Sequence, residues 1–291
     1  MGFKPDIDMK RTYSDIRLND RHYNKETLLR HCSGNEWLST KEPFAAQIFQ
    51  FIREWLDDND FIFVSTSGST GHPKKIKLLK SRMVSSALLT QHYFDLNSKT
   101  TALHCLPMEY IAGKMMIVRA FVTGYNLITT QPSANPFDKI EQTIDFTALT
   151  PYQLHHSLED IRHLDIKQII VGGGEIPAEL EKRIRNISSK IYATYGMTET
   201  CSHVALRKAN GKDATDIFTA LDDITFYQDE RKCLLIQAPV HSAGKIQTSD
   251  VVDLIDDTHF RWIGRYDNVI NTGGVKVYPE SIEKKLYGLI D

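Results

Sequence analysis

Residues 65–75 read STSGSTGHPKK, and their side chains and glycines are well suited to bind phosphate. Glycines allow the backbone to curl, so that unpaired amide groups can bind anionic oxygens. The hydroxyl groups add donors, and Lys74 adds a positive charge suited to a polyphosphate. The stretch is not a Walker A motif, because Pro73 stands where glycine is required and Lys75 follows Lys74 in place of serine or threonine. We interpret it as a phosphate-binding loop, and a serine- and glycine-rich surface linker is the alternative.

Residues 195–200 read YGMTET and follow a predicted strand over 190–194. Parallel α/β sheets bind ligands at the carboxyl ends of their strands. At such a position Glu199 could hold a hard cation such as Mg²⁺, Thr198 could donate to a phosphate, and Tyr195 could offer its face to a base. The hexapeptide alone is a weak signal, since tyrosine, glycine and glutamate are common at strand ends.

Two further segments could contribute to a site of the same kind. Residues 171–177 (VGGGEIP) follow a predicted strand, and their three glycines would let the backbone approach a planar ligand closely. A tight strand-to-helix turn, with Pro177 starting the helix, is the alternative. Asp250 could accept from both ribose hydroxyls and Arg265 could donate to the same sugar, although Asp250 by itself is also a typical strand-end carboxylate.

The elements that must position these segments alternate between strand and helix. Predicted strands cover 75–79, 101–106, 126–129, 146–149, 167–171 and 190–194, and predicted helices cover 81–93, 112–123, 136–143, 151–158 and 177–187. This alternation predicts an α/β fold with mainly parallel sheets and flanking helices. After residue 200, strands are predicted at 203–207, 224–228, 232–237, 246–255 and 259–262, which indicates a β-rich subdomain over about 201–262, and a last helix is predicted near 279–287. Residues 1–38 show no clear pattern.

Composition excludes several classes of protein. The chain has 291 residues, 41% of them hydrophobic, with 35 basic and 37 acidic side chains and a net charge of −2. These values argue against disorder, a coiled coil and a nucleic-acid partner. No apolar stretch approaches the length of a membrane span, the N-terminus is polar, and the four cysteines form no CxxC pair. We expect a cytoplasmic protein with buried thiols, without a signal peptide and without a membrane partner.

The motifs in this order resemble those of the adenylate-forming superfamily, which contains acyl-CoA synthetases, peptide-synthetase adenylation domains and firefly luciferase. STSGSTGHPKK, YGMTET and GRYDNVINTGGVKVYPESIE (264–283) carry the resemblance, which spans about residues 61–288. The short segment before the phosphate loop is similar to that of a compact branch, the O-succinylbenzoate–CoA ligases of menaquinone biosynthesis. The resemblance implies that residues 1–266 form the large AMP-binding lobe of this fold.

The resemblance also implies an AMP-forming acid–thiol ligase that uses ATP, Mg²⁺ and coenzyme A. Catalytic positions would be Lys74, Thr198 and Glu199, with Glu199 as the magnesium ligand. The β- and γ-phosphates would be bound by Thr66, Ser67, Ser69, Thr70 and Lys74, adenine by Gly173, Gly174, Glu175, Thr194 and Tyr195, ribose by Asp250 and Arg265, and coenzyme A by Gly274 and Lys276. Asp267 matches the hinge residue, and Asn268 replaces the acidic residue that usually follows it.

Residues 106–113 (LPMEYIAG) resemble the aromatic-gate motif of the superfamily, with Glu109-Tyr110 in place of the usual histidine-containing triplet. The substrate would be a small-molecule carboxylic acid, and the second carboxylate of an aromatic dicarboxylate would need a cation or several donors. The acyl-pocket candidates are Tyr110, Lys114 and Arg119, with His155, His156 and Arg207 as further cations that could equally lie at the surface or the core edge. Adjacent residues on a helix point in different directions, which argues against a metal site at the histidine pair.

The length of the chain bears on turnover. Superfamily members carry a small C-terminal lobe after the hinge, with a lysine important for adenylation. Only 24 residues follow Asp267 (291 − 267), fewer than the roughly 40 that a domain needs to fold alone. We therefore expect residues 267–291 to be the hinge and a stub of a truncated lobe, and the chain to bind ATP but adenylate poorly.

Other functions remain open at the level of sequence. An acyl-CoA synthetase for another aryl or fatty acid has the same motifs. A non-catalytic nucleotide-binding module is a further alternative, although Lys74, Glu199 and Asp250 are intact. A P-loop kinase lacks support because the Walker pattern is missing, and a homodimer is neither indicated nor excluded.

Overall fold

The computed structural model describes residues 13–33, 43–65, 75–238, 244–273, 275–280 and 282. In these ranges the helices are α1 (Lys25–Ser33), α2 (Pro43–Leu56), α3 (Lys80–Phe94), α4 (Ile111–Thr123), α5 (Pro151–His156), α6 (Leu158–His163) and α7 (Ala178–Ile184). The strands are β1 (Ile16–Leu18), β2 (Arg21–Tyr23), β3 (Phe61–Ser65), β4 (Lys75–Leu79), β5 (Thr101–His104), β6 (Asn126–Thr129), β7 (Ile144–Leu149), β8 (Ile166–Val171), β9 (Lys190–Gly196), β10 (His203–Lys208), β11 (Ile217–Ala220), β12 (Thr225–Gln228), β13 (Cys233–Gln237), β14 (Ile246–Leu254), β15 (His259–Arg265), β16 (Ile270–Thr272) and β17 (Val275–Val277).

A parallel half-sheet forms the centre of the fold. Its strands follow the order β9-β8-β7-β5-β6-β1, and each neighbouring pair is parallel. Parallel sheets need cover on both faces, which explains why β7 (IDFTAL) and β8 (IKQIIV) are largely apolar and end in buried residues. Helices flank the sheet, so the predicted α/β class is confirmed.

The strand order reverses next to β5. The chain passes from β5 through α4 to β6 on one side, and later places β7 on the other side of β5. Where the connections from two neighbouring strands run to opposite sides, a crevice opens between them at the carboxyl ends of the strands. This reversal predicts that a ligand binds beside the ends of β5 and β7.

The strands that follow β9 extend the same sheet in antiparallel fashion. Their order outward is β10, β11, β15, β14, β13 and β12, so the β-rich run after residue 200 joins the parallel half edge to edge. In a flat sheet, the four spacings from β9 to β14 would separate those strands by about 19 Å. The side chains of Tyr195 on β9 and Asp250 on β14 nevertheless form a 2.7 Å hydrogen bond, so the sheet curls strongly between them.

The predicted helix over 136–143 is wrong, because this segment forms a turn at residues 136–139 without helix. Asn135 explains the difference. Its side-chain oxygen accepts from the amide of Phe137 at 3.2 Å, and its side-chain nitrogen donates to Asp138 at 2.8 Å and Asp160 at 2.6 Å. Such side-chain bonds compete with helical hydrogen bonds, and here they also hold the ring of Phe137 in the core.

Smaller differences concern element boundaries. The predicted helix over 151–158 ends at His156 and is followed by the separate helix α6, and the helix predicted over 177–187 ends at Ile184. Strand β11 had no prediction, and the unpatterned N-terminal segment contributes β1, β2 and α1. The last predicted helix lies mostly outside the described residues. None of the described helices combines the length and the apolar character that crossing a membrane requires.

Asn210 is a buried residue that ties the end of the α7 segment to the start of β9. Its side-chain nitrogen donates to the carbonyls of Ile187 at 3.0 Å and Ser189 at 2.8 Å, and its side-chain oxygen accepts from the amide of Ile191 at 2.9 Å. Because a buried backbone group without a partner is costly, these bonds define where β9 begins.

We expect Asn210→Ala to lower the free energy of unfolding by about 2–4 kcal/mol, since it leaves several buried backbone groups without partners. Urea denaturation measures the loss. Asn59→Ala is the control, because the exposed Asn59 side chain bonds Asp57 alone within the described part of the chain, and we expect a change below about 0.5 kcal/mol. Equal losses in the two variants would contradict this role of Asn210.

All four cysteines are free and buried. Burial raises the thiol pKa of Cys32 from its ordinary value of 9.0 to about 11, and raises the pKa values of Cys105 and Cys201 to about 12. The pKa values of these thiols in the folded protein exceed the ordinary value of 9.0 that applies to the unfolded chain. The free energy that the buried neutral thiols contribute to folding is therefore complete below pH 9.0, and it declines as the pH rises above that value.

We expect a chromogenic disulfide reagent at pH 8 to label four thiols after denaturation and fewer than about one in the native protein. Rapid native labelling would contradict the buried placement.

Candidate active site

A cavity of about 470 Å³ lies at the carboxyl ends of four adjacent parallel strands. Leu106 lines it after β5, Thr150 after β7, Gly172 after β8 and Met197 after β9. The cavity therefore occupies the crevice that the reversal of strand order between β5 and β7 creates. Its position follows from the topology, and its chemistry depends on the loops that surround it.

The turn after β8 brings bare backbone to the cavity wall. Gly173 has a φ of +81°, which a residue with a side chain rarely adopts, and no atom of the described residues lies within 4 Å of the position its Cβ would take. A Cβ on Gly172 would lie 2.5 Å from Oγ1 of Thr194. Both interpretations of the glycine segment are thus compatible with the geometry, because it is a tight turn and it also leaves open space for a ligand. Gly174 and Glu175 continue the same exposed segment.

The end of β9 folds back on the start of β10. A Cβ on Gly196 would lie 2.3 Å from the carbonyl oxygen of Ser202, so only glycine fits there. The hydroxyl of Thr200 lies 3.0 Å from the amide nitrogen of Met197, from which it accepts a hydrogen bond, and 2.6 Å from the carbonyl oxygen of Ser202, to which it donates. This tight loop places Thr198 in the cavity wall and leaves the carboxylate of Glu199 exposed beside it.

Asp250 is 8% exposed, accepts two side-chain hydrogen bonds and forms one ion pair. The hydroxyl of Tyr195 donates to it at 2.7 Å, the indole nitrogen of Trp262 donates at 3.2 Å, and a guanidinium nitrogen of Arg265 lies 3.5 Å from the carboxylate. Burial, and then the negative charge of Asp250, raise the pKa of Tyr195 well above its ordinary value, so the phenol remains a donor. The structure thus brings together Tyr195, Asp250 and Arg265, which are distant in the sequence. It adds Trp262, which no sequence pattern had indicated.

The segment after β15 is held by Glu280. The side-chain amide of Asn268 donates to Oε1 of Glu280 at 2.6 Å, and the backbone amide of Arg265 lies 3.4 Å from the same oxygen. A Cβ on Gly264 would lie 2.6 Å from the other carboxylate oxygen. Asp267, the predicted hinge residue, is exposed and lies 3.3 Å from the guanidinium of Arg265. Asn268 can donate to Glu280, whereas the acidic residue it replaces would repel it.

The predicted acyl-pocket residues fall in different places. Tyr110 and Arg119 both line the cavity, with Tyr110 49% exposed. The ammonium of Lys114 lies 4.7 Å from the centre of the Phe51 ring, and Lys114 does not line the cavity. The remaining candidates lie elsewhere: His155 and His156 line a separate cavity of about 190 Å³, and Arg207 pairs with Glu181.

Several predicted residues fall outside the described part of the chain, namely Thr66, Ser67, Ser69, Thr70, Lys74 and Gly274. The residues that flank the phosphate-loop segment are described. Ser65 at the end of β3 pairs with Lys75 at the start of β4, and Ser65 lines the cavity. Lys276 lies in β17 opposite Asn271.

A crevice at the carboxyl ends of parallel strands, bounded by glycine turns, is the position at which open α/β folds bind their ligands. A family described as "AMP-binding enzyme" matches residues 12–221. This match covers more than half of the chain, and the chain belongs to that family.

Curated relatives include the 2-succinylbenzoate–CoA ligase of Escherichia coli (strain K12), which is 25% identical over 235 residues, covering 75% of this chain and 51% of the relative. The long-chain-fatty-acid–CoA ligase FadD13 of Mycobacterium tuberculosis (strain ATCC 25618 / H37Rv) is 24% identical over 271 residues, covering 80% of this chain and 53% of the relative. The chain thus spans about half the length of the curated relatives it matches.

Solved structures give the same fold. The acyl-CoA synthetase (AMP-forming)/AMP-acid ligase II-like protein from Dyadobacter fermentans DSM 18053 superposes with a TM-score of 0.72 at 36% identity, over 86% of this chain and 73% of that one. The O-succinylbenzoate coenzyme A synthetase (MenE) from Bacillus subtilis in complex with AMP superposes with a TM-score of 0.71 at 16% identity, over 96% and 82%. At the latter identity the likeness concerns the fold alone.

We expect Asp250→Ala to lower the free energy of unfolding by about 2 kcal/mol or more, because two donors and a guanidinium lose their buried partner. Asp253→Ala is the matched control on the same strand, since the exposed Asp253 pairs with Arg261 alone among the described residues and its loss should cost less than about 1 kcal/mol. Urea denaturation distinguishes the two. Equal effects would show that Asp250 does not hold the curled sheet together.

Proposed function

We propose that this chain is the nucleotide-binding lobe of an ATP-dependent carboxylic acid–CoA ligase, with O-succinylbenzoate of menaquinone biosynthesis as the acid. In the first step, the carboxylate attacks the α-phosphate of ATP and forms an acyl-adenylate, while pyrophosphate leaves. In the second step, the thiol of coenzyme A attacks the acyl carbon, forms a thioester and releases AMP. The first step needs positioning and charge neutralisation, and no general base, because the nucleophile is already an anion.

The observation that supports this proposal is the composition of the cavity wall. Gly173 and Thr198 bring backbone and hydroxyl donors to one part of it, and apolar residues such as Leu106 and Ile111 form another part. A ligand with a polar nucleotide portion and an apolar acyl portion matches such a wall. The buried carboxylate of Asp250, held beside Tyr195, supplies the acceptor that ribose hydroxyls require.

In this proposal the predicted roles are assigned as follows: adenine to Gly173, Gly174, Glu175, Thr194 and Tyr195, ribose to Asp250 and Arg265, phosphates to Thr66, Ser67, Ser69, Thr70, Lys74 and Thr198, coenzyme A to Gly274 and Lys276, and the hinge to Asp267. The proposal assigns residues 1–266 to the large lobe and places the hinge within residues 267–291.

Glu199 suits a magnesium site that is shared with the nucleotide. Mg²⁺ usually binds one or two carboxylates together with substrate phosphates, and not a cage made of protein side chains alone. Glu199 is exposed beside the cavity, and the described residues contain no cluster of three or more metal-binding side chains. When bound, the ion would neutralise phosphate charge, while Thr198 donates to the same group.

A long-chain fatty acid is the second candidate substrate, because the similarity to FadD13 is as high as that to the succinylbenzoate ligases. The two candidates differ at the far end of the acyl pocket. A fatty acid ends in methylene groups, whereas O-succinylbenzoate carries a second carboxylate that must be solvated or paired.

Calorimetric titration with ATP and Mg²⁺ tests nucleotide binding. We expect Asp250→Asn to weaken ATP binding at least tenfold, because the amide cannot accept from both ribose hydroxyls while it also meets Tyr195. The matched variant Asp253→Asn should leave the affinity within about twofold. If wild type fails to bind ATP, the proposal is wrong.

Single-turnover formation of the acyl-AMP, with protein in excess over labelled ATP, tests the chemistry and the acid. We expect product with O-succinylbenzoate and at least tenfold less with benzoate or palmitate. ATP binding without an adenylate from any acid, measured in a protein that includes the C-terminal lobe with its lysine, would instead favour a non-catalytic nucleotide-binding module.

A further inference from the structure

The chain that leaves β15 returns and packs against the end of that strand. Gly264, the penultimate residue of β15, is buried, and a Cβ on it would lie 3.4 Å from the Cβ of Tyr278 and 2.6 Å from Oε2 of Glu280. Between Gly264 and Tyr278 the chain passes Asp267, the predicted hinge residue, and then forms the hairpin of β16 and β17. Residues that precede the hinge residue therefore contact residues that follow it.

The carboxylate of Glu280 makes the polar part of this contact. Its Oε1 accepts from the side-chain amide of Asn268 at 2.6 Å and from the backbone amide of Arg265 at 3.4 Å. Arg265 precedes Asp267 and Asn268 follows it, so a single oxygen atom binds donors on both sides of the hinge residue. The short bond from Asn268 fixes the direction in which the carboxylate points.

The second oxygen of the same carboxylate has different surroundings. Oε2 of Glu280 is buried against Gly264, and none of the described residues donates a hydrogen bond to it. A buried acceptor without a donor costs free energy, which water returns when the group becomes exposed. The cost at Oε2 offsets part of what the bonds at Oε1 contribute, so the contact can be released at a small net cost.

Asp250 shows how a permanent contact is built at the same strand end. Tyr195 donates to one oxygen of Asp250 and Trp262 donates to the other. Within the described ranges, both oxygens of Asp250 have donors, whereas one oxygen of Glu280 has none. Arg265 contacts both carboxylates, since its guanidinium lies 3.5 Å from Asp250 and its amide lies 3.4 Å from Glu280. The end of β15 thus lies between a permanent contact and a releasable one.

We infer that Glu280, oriented by Asn268, is a releasable latch across the hinge residue Asp267. When the latch is closed, it holds the segment after the hinge against Gly264 and Arg265, and it opens when that segment turns. The inference rests on the proposed function, because the role of Asp267 as a hinge belongs to that proposal. Since Arg265 is also assigned to the ribose, the nucleotide site and the latch share one residue.

Two other contacts near the hinge residue do not connect its two sides. The guanidinium of Arg265 lies 3.3 Å from the carboxylate of Asp267, in an exposed ion pair of a kind that contributes little to stability. The guanidinium of Arg231 lies 5.0 Å from the centre of the Tyr266 ring. Neither contact includes the segment after the hinge, so the carboxylate of Glu280 is the group to change.

Hydrogen exchange, measured by mass spectrometry on the 291-residue chain without nucleotide, tests the latch. Asn268→Asp puts a carboxylate where the amide donor to Glu280 was, without a change of size, and the two like charges should open the latch. Asn268 is exposed, so the substitution does not disturb the core. We expect the backbone amides of residues 264–269 and 277–280 to exchange about tenfold faster than in wild type, or more.

Two further variants identify the cause. Asn271→Asp is the matched control, because it makes the same change of charge at an exposed position of β16, and its exchange should stay within about twofold of wild type. The double variant Asn268→Asp/Glu280→Gln again pairs an amide with a carboxylate, with the two groups exchanged. Its exchange should return to within about threefold of wild type.

Two results would overturn the latch and leave the proposed function standing. In the first, Asn268→Asp exchanges no faster than Asn271→Asp. In the second, Asn268→Asp exchanges faster and the double variant does not recover, so that repulsion of Glu280 is not the cause. Calorimetric titration with ATP and Mg²⁺ tests the proposed function separately. A wild type that binds no nucleotide would overturn that proposal, and the hinge role of Asp267 with it, whatever the exchange rates.

Discussion

The carboxylate of Asp250 joins two parts of the sheet that a flat arrangement would keep far apart. Tyr195 at the end of the parallel half donates to it, and Trp262 and Arg265 approach it from the antiparallel half. Because the acceptor is buried, none of these donors can be replaced by water without cost. The curvature of the sheet, the orientation of Tyr195 and the position of Arg265 therefore depend on one another.

The fold places its buried charges in different surroundings. Asp250, which does not line the cavity, is held by donors of the chain itself, so its geometry is set before any ligand arrives. Arg119 lines the cavity, and its hydrogen bonds among the described residues are made with neutral side chains.

Much of the fold could be predicted because the spacing and number of apolar residues in a strand or helix directly reflect which of its faces are buried. Strands β7 and β8 are apolar runs since both of their faces are covered. The turn after Asn135 was not predicted, because the hydrogen bonds of the Asn135 side chain, one of them to Asp160, favour a turn although the local pattern is helical. Strand β11 escaped prediction because it is short and is identified mainly by its pairing with β10 and β15.

The motifs alone determined the family, and they predicted a nucleotide ligand and the glycine turns, since backbone freedom and side-chain chemistry are local properties. Only the tertiary structure distinguished Arg119 from Lys114 and Arg207, because a cation's role depends on whether a carboxylate lies beside it. The same holds for Trp262, Ser202 and Glu280, whose partners are distant in the chain or set by the fold of a loop. Electrostatic pairing and burial depend on the residues that surround a side chain in the folded structure, and the spacing of residues along the chain does not reveal them.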